Sequence, residues 1–311
     1  MSSHNNQTNY NNKVPKVNSS WIKKVSSGTN PSNNDLLEHL DIIHKNYAGF
    51  TEKVATSCRD SNGKNSYELL LNIVDKDKHK NSNVLDIACG SGVLLELLFT
   101  KSFTYQSQLT GIDISESELQ LAHKKLSHLD INLYKDKAQN LHFIKNNSQD
   151  LIFCHWALTL MNPIIPVLKN IKRIIKSKGI FSAIVDGDSN SALGYSKVHD
   201  IIYKHTQKKY SKYGLIEIGD SRVRSASSLN QLTREIFTDA EITISSHILS
   251  MKETPIILAE EVSKFFYASL VLSTEDRKKL ISELKDFFYA ESIEGLSVFN
   301  LPINQLVIKQ N

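Results

Sequence analysis

The sequence predicts an α/β fold: a doubly wound, mostly parallel sheet with an antiparallel last strand, a helical N-terminal extension and a C-terminal helical insert. Two observations predict it. From residue 82 onward, short apolar runs alternate with stretches of helical periodicity, the pattern of strands held between two helical layers. Within that alternation, Val84-Leu85-Asp86-Ile87-Ala88-Cys89-Gly90-Ser91-Gly92-Val93 carries an apolar strand through two glycines into an apolar helix. Glycine has no side chain to hold a ligand off, so such a turn lets backbone approach a nucleotide-like molecule.

Residues 1–34 hold nine asparagines, seven serines, four lysines and no acid, with few large apolar residues beyond Trp21 and Ile22. That composition predicts a disordered or loosely attached tail, and the absence of arginine argues against a targeting peptide. Residues 35–311 then read as one domain, with a cofactor-binding core at 66–186 and acceptor-shaping elements at 187–235 and 255–290. Leu36, Leu37, Leu40 and Ile43 mark a first helix that Asp35 can cap. A second helix, 67–74, leads into the first strand, 83–87, and its helix, 92–99. Strands follow at 108–112 and 131–134, with a helix at 116–129 between them. The strand at 151–154 is wholly apolar, as one buried on both faces should be. Ile164, Leu168, Ile171 and Ile175 form a helical stripe that Gly179 should stop, before a strand at 180–185. A polar helix at 192–210, a short helix at 228–236 and a strand at 242–251 come next. Helices at 257–271 and 275–289, the second capped by Ser273 or Thr274, precede a last strand at 296–309 that pairs with the one before it.

Composition narrows the class. A chain of 311 residues with 40% hydrophobic and 23% charged residues can bury a full core, and a net charge of +4 without a long basic run does not call for nucleic acid. Three scattered cysteines make neither a disulfide framework nor a zinc site, and no metal site is expected. No apolar run reaches the length of a membrane span and no signal peptide opens the chain, so a cytoplasmic protein is expected.

About twenty residues past the glycine turn, Leu109-Thr110-Gly111-Ile112-Asp113 reads as a strand ending in an acid, placed to accept hydrogen bonds from two ribose hydroxyls. These residues resemble the class I S-adenosylmethionine-dependent methyltransferases, whose first motif has the form Asp-x-Gly-x-Gly-x-Gly. Asp86, Ala88, Gly90 and Gly92 match it, with Ala88 in place of the first glycine. A nicotinamide-binding turn would need a third glycine where Val93-Leu94-Leu95 stand. The resemblance spans roughly residues 66–186 and implies a Rossmann-like core with S-adenosylmethionine as cofactor. It implies that Ala88, Cys89, Gly90 and Gly92 hold the methionine part, and that Asp113, followed by Ile114, holds the ribose. Lys137-Ala138-Gln139-Asn140-Leu141-His142-Phe143 is similar to the family's adenine-contacting Asp-Ala-x-x-Leu-Pro-Phe. Lys137 stands where that motif has its acid, so either Asp136 substitutes or backbone near Ala138 reads the adenine. His155-Trp156-Ala157-Leu158 resembles the segment flooring the pocket. His155 is a general base or a structural ring, and Trp156 covers the cofactor or packs the core.

The expected activity is methyl transfer to a small-molecule acceptor by in-line displacement. The alternatives are an RNA or protein acceptor, or a non-catalytic binding protein on the same fold. Tyr203, Lys204, Lys208, Lys209, Tyr210, Lys212 and Tyr213 form the one basic, aromatic stretch that nucleic acid could use, and a solvated helix face is the plainer reading. Arg222 and Arg224 are expected either to clamp an acidic group of the acceptor or to pair with surface acids. The resemblance makes Tyr47 and Phe50 candidate lid residues, and Phe265-Phe266 and Phe287-Phe288 could roof an apolar pocket; packing of the helices is the alternative reading for all of them. Sequence leaves the oligomeric state open.

Overall fold

Side chains that alternate between two apolar layers build the sheet. In the computed structural model, which describes residues 17–101, 107–216 and 218–311, the strands are β1 Asn83–Ile87, β2 Gln108–Asp113, β3 Ile131–Lys135, β4 Gln149–His155, β5 Ile175–Asp186, β6 Ala240–Glu253 and β7 Ser297–Gln310. They lie in the order β3-β2-β1-β4-β5-β7-β6. The first five are parallel, and β7 runs against both β5 and β6. Along β4, Leu151 and Phe153 enter one core layer while Ile152 and Cys154 enter the other, so both faces are dry. The parallel sheet and its reversed β7 match expectation.

The helices are α1 Ser20–Ser27, α2 Asn33–Tyr47, α3 Glu52–Ser57, α4 Ser66–Leu71, α5 Val93–Lys101, α6 Glu116–Lys125, α7 Ile164–Ile174, α8 Tyr195–Lys209, α9 Ala226–Ile236, α10 Pro255–Phe265, α11 Tyr267–Leu270 and α12 Thr274–Ala290. Helices α1–α6, α8 and α10–α12 cover one face of the sheet, while α7 and α9 cover the other. Ser273 caps α12 through Asp276 N–H, as its position suggested.

Three local expectations are corrected. Residues 1–16 of the expected tail lie outside the described residues, but 17–34 are not a loose tail. Trp21 is 1% exposed, stacks on His39 at 4.8 Å and meets Tyr213 edge-on at 5.3 Å, which anchors α1 despite its polar surroundings. The cap of α2 is Ser32, with Asp35 returning the bond as the third helical residue of a capping box. Gly179 does not stop α7, which ends at Ile174; it lies inside β5, where the register against β4 shifts. A Cβ there would sit 2.7 Å from Ile175 and 2.9 Å from Lys176 O, so the irregular strand needs glycine.

Candidate active site

The carboxyl ends of β1, β2, β4 and β5 open into one cavity of about 660 Å³. This is the position at which a doubly wound sheet presents loops to a ligand. The glycine turn forms one wall. Ala88 has φ 58, Gly90 φ 53 and Gly92 φ 83, a run of left-handed backbone that bends the chain sharply from β1 into α5. A Cβ on Gly92 would meet Leu126 at 2.8 Å, while one on Gly90 would meet only Glu118, at 3.8 Å. Gly92 therefore serves helix packing, and Gly90 faces the open space.

Two acids sit beneath the turn. Asp113 accepts from Gly90 N–H at 2.8 Å and from Ser115 N–H at 2.7 Å, one bond on each carboxylate oxygen. Each oxygen keeps a lone pair for a further donor, as ribose hydroxyls would require. Burial raises the Asp113 pKa, and the two N–H bonds pull it back. Asp86 is 1% exposed, and its Oδ1 has no hydrogen-bond partner. Burial, together with the Asp113 charge, holds its pKa well above the usual carboxylate range. An orphaned buried acid beside a left-handed turn fits the ammonium group of S-adenosylmethionine, and the Asp113 pair fits its ribose.

Eleven of the expected site residues line this cavity: Asp86, Ala88, Cys89, Gly90, Asp113, Ile114, Asp136, Lys137, Ala138, His155 and Trp156. Gly92 stands behind the wall. Asp136 Oδ1 accepts from Lys137 N–H at 2.7 Å and from Asn140 at 3.2 Å, and Asn170 holds the Ala138 carbonyl at 3.2 Å, so this loop is braced from behind. His155 Nε2 lies 2.8 Å from Ser66 Oγ, and its ring stacks on Tyr67 at 3.9 Å. Burial lowers its pKa to about 3. A neutral, stacked and hydrogen-bonded ring is a wall of the pocket and a poor general base at neutral pH. Trp156, at φ 55, meets Phe265 at 5.3 Å with its indole Nε1 buried and unpartnered.

Sequence patterns held no sign of the network that closes the site. Glu118 of α6 lies 2.8 Å from His44 Nδ1 and accepts from Gly49 N–H at 3.0 Å, and His44 Nε2 lies 2.9 Å from Tyr267 OH. If Nδ1–H donates to the carboxylate, Nε2 is left to accept from the phenol. Glu52 of α3 bonds Ser91 in the glycine turn and pairs with Lys125 at 3.3 Å. The N-terminal helices are thereby tied to the cofactor side and to the insert. Leu36, Leu40 and His44 line the cavity from α2, whereas Tyr47 and Phe50 do not. Phe50 packs instead on Tyr267 at 5.1 Å, and Tyr47 lies against Arg277.

On the opposite side Arg224 pairs with Asp186 at 3.0 Å and donates to Ile218 O at 2.7 Å, both groups lining the cavity. Arg222 turns away to Asp220 at 2.7 Å. Phe265 and Phe266 line the cavity, while Phe288 is buried in the core.

The model of a family described as "Methyltransferase domain" matches residues 78–248, more than half of the chain. The chain belongs to this methyltransferase family. Its sheet order and glycine turn are those of the class I, S-adenosylmethionine-dependent branch, so S-adenosylmethionine is the cofactor this pocket is built to hold. Among curated relatives, demethylmenaquinone methyltransferase of Staphylococcus haemolyticus is 24% identical over 161 residues, 47% of this chain and 66% of that protein. Ribosomal protein L11 methyltransferase of Fusobacterium nucleatum is 28% identical over 149 residues, 46% of this chain and 45% of that protein. The chain thus spans less than two thirds of each relative. Among solved structures, the phosphoethanolamine N-methyltransferase 2 of Haemonchus contortus aligns over 90% of this chain and 60% of its own, at 15% identity and TM-score 0.54. The YcgJ protein of Bacillus subtilis aligns over 79% and 98%, at 15% identity and TM-score 0.52. Both are likenesses of fold. Among the described residues no helix is long and apolar enough to cross a membrane, and no cluster of metal-ligating side chains occurs.

Proposed function

We propose that this chain transfers a methyl group from S-adenosylmethionine to a small-molecule acceptor by in-line displacement. The observation that carries this reading is the continuity of the cavity. The same space runs from Asp86 and Gly90 past Trp156 to Tyr203 and Arg224, roofed by α2 and by α10–α11. Its volume of about 660 Å³ falls within the range of small-molecule sites. The two curated relatives differ in acceptor, one a demethylmenaquinone and the other a ribosomal protein, so the acceptor class rests on the chamber.

S-adenosylmethionine supplies a methyl group on a sulfonium, already a strong donor. The side chains therefore have to hold, align and keep dry. Asp86 takes the ammonium, Asp113 the ribose hydroxyls, and the loop from Asp136 to Ala138 the adenine edge. Trp156 and the stacked His155–Tyr67 pair floor the pocket between the two halves. Alignment of this kind can supply roughly 7–11 kcal/mol of the barrier. A macromolecular acceptor is less well served. In the basic stretch of α8 and the turn after it, Tyr203 and Tyr213 face the cavity, while Lys204, Lys208, Lys209 and Lys212 face solvent. Tyr210 stays beside the lysines, with Lys209 Nζ 5.4 Å from its ring centre, so one ring of the three is left on the basic surface where bases could stack.

Calorimetry with S-adenosylhomocysteine and with NAD tests the reading. Micromolar binding of the first, weakened by about 2 kcal/mol in Asp113→Ala, is the expected result. A screen of small acceptors by mass spectrometry would follow. Preference for NAD, or no binding of S-adenosylhomocysteine, would overturn it.

A further inference from the structure

The walls of the acceptor half have a chemistry of their own. Trp156 meets Phe265 at 5.3 Å, Phe265 meets Phe266 at 5.4 Å, and Phe266 meets Tyr195 at 6.1 Å. His199 stacks on Tyr203 at 4.0 Å, and Tyr203 meets Tyr213 at 6.1 Å. All of these rings line the one cavity, so a nearly continuous aromatic wall runs from the end of β4 to the far end of the chamber. Charge adds to it. Of the eight carboxylates among the described lining residues, Glu52, Asp86, Asp113, Glu118 and Asp136 stand on the cofactor side with Lys137, which leaves Asp41, Asp186 and Asp200 against Arg224 in the other half and at its rim. Arg224 is already neutralised by Asp186 at 3.0 Å. Asp41 and Asp200 are exposed at the rim.

Resting on the methyltransferase reading, we infer that the acceptor is a small organic amine, drawn in as its ammonium form and methylated as the free base. Aromatic faces carry the negative lobe of the ring quadrupole and attract an ammonium by cation–π interaction, and a cleft lined by one sign of charge concentrates the opposite sign. An anionic acceptor would enter against the excess of carboxylates, with no unpaired cation among the described residues of its half of the chamber. A hydroxyl acceptor would need a base: His155 and His44 both have Nε2 engaged within the protein, and His199, the third lining histidine, is stacked on Tyr203 with its pKa lowered by burial, which makes it a weak one. A free amine needs none at the moment of transfer. Its lone pair forms the N–C bond as the S–C bond breaks, and the electrons of that bond stay on sulfur as the thioether. The positive charge passes from sulfur to nitrogen and stays within the same aromatic, acidic walls. The proton that made the incoming ammonium leaves to water before attack. A primary or secondary amine gives up its remaining proton to water afterwards.

The test needs no knowledge of the natural acceptor. Choline and its neutral carbon isostere, dimethylbutanol, are titrated into the full chain with and without saturating S-adenosylhomocysteine. Choline should bind about ten-fold tighter than the isostere, a difference of about 1.4 kcal/mol and within the cation–π range. Tyr203→Leu should erase most of that preference, while Tyr203→Phe, which keeps the ring, should retain it. Equal binding of the two probes, tighter binding of the isostere, or no choline binding in either state would overturn the inference. Because S-adenosylhomocysteine binding is read separately, its absence would remove the methyltransferase reading while the choline preference still judged the chamber.

Discussion

Asp86 is the residue on which the cofactor pocket turns. Its Oδ1 is buried without a partner, and burial with the neighbouring Asp113 charge raises its pKa well above the ordinary value. It therefore keeps its proton to higher pH than an ordinary carboxylate does before a ligand arrives. The ammonium of the cofactor favours the ionised form, so binding lowers that pKa and releases a proton. Affinity should then rise with pH through the range in which the free Asp86 titrates. Calorimetry with S-adenosylhomocysteine in two buffers of different ionisation enthalpy reads the proton directly. Asp86→Asn should abolish the release and weaken binding by about ten-fold or more. Proton release that survives in the variant would assign it to another group. Gly92 makes a second, structural prediction. Its φ is 83, and a methyl carbon added there would lie 2.8 Å from Leu126. Gly92→Ala should therefore cost about 1–3 kcal/mol, seen as a lower denaturant midpoint.

At the scale of elements, a buried polar junction helps hold α2 over the site, in which Glu118 of α6, His44 of α2 and Tyr267 of α11 meet. Glu118 is 4% exposed, so removing His44 takes from a buried carboxylate one of the donors, alongside Gly49 N–H, that balance its charge. His44→Ala should loosen the lid and raise the S-adenosylhomocysteine dissociation rate by about ten-fold, with Tyr267→Phe showing a smaller rise. Stopped-flow dissociation measures it, and an unchanged rate would reduce the junction to packing. Sequence could foresee the frame but not this junction, for a physical reason. Strands β1, β2 and β4 announce themselves through apolar runs of a few residues, and the Asp86–Gly92 turn through its own neighbours. Ser115-x-x-Glu118 reads locally as a capping box, and Ser115 does cap α6. The Glu118 side chain is diverted to His44, a partner supplied by tertiary packing. Trp21 is similar: its order comes from His39 and Tyr213, far along the chain, so composition alone made α1 look like tail. His155 is a case of the reverse kind: its residue type is suggestive by itself, but its bond to Ser66 and its stack on Tyr67 come from packing that the sequence does not display.

For the molecule as a whole, two histidines tie stability to pH. His39 is fully buried between α1 and α2, with Nδ1 2.8 Å from Ser19 Oγ and Nε2 unpartnered, and burial lowers its pKa to about 4. His155 is lowered to about 3 in the same way. Between these values and the ordinary 6.5, the unfolded chain binds protons that the folded chain refuses, so stability rises with pH across that window and levels off above it. Each histidine contributes a slope of about 1.4 kcal/mol per pH unit inside its window. Asp86 and Asp113 have raised pKa values and act in the opposite sense, because the folded chain holds their protons more tightly on acidification. The informative quantity is therefore a difference between chains. Urea denaturation of the full chain and of His39→Gln, at about pH 7 and about pH 5, should show the parent losing about 1–2 kcal/mol more than the variant over that interval. Because His39 carries the stack that pins Trp21, the acid-labile part of the fold should be the α1–α2 clasp over the active site. Hydrogen exchange at the lower pH should then rise first in residues 19–47, while β1, β4 and β5 stay protected. Equal pH slopes in the two chains, or exchange beginning in the central strands, would place the sensitivity elsewhere.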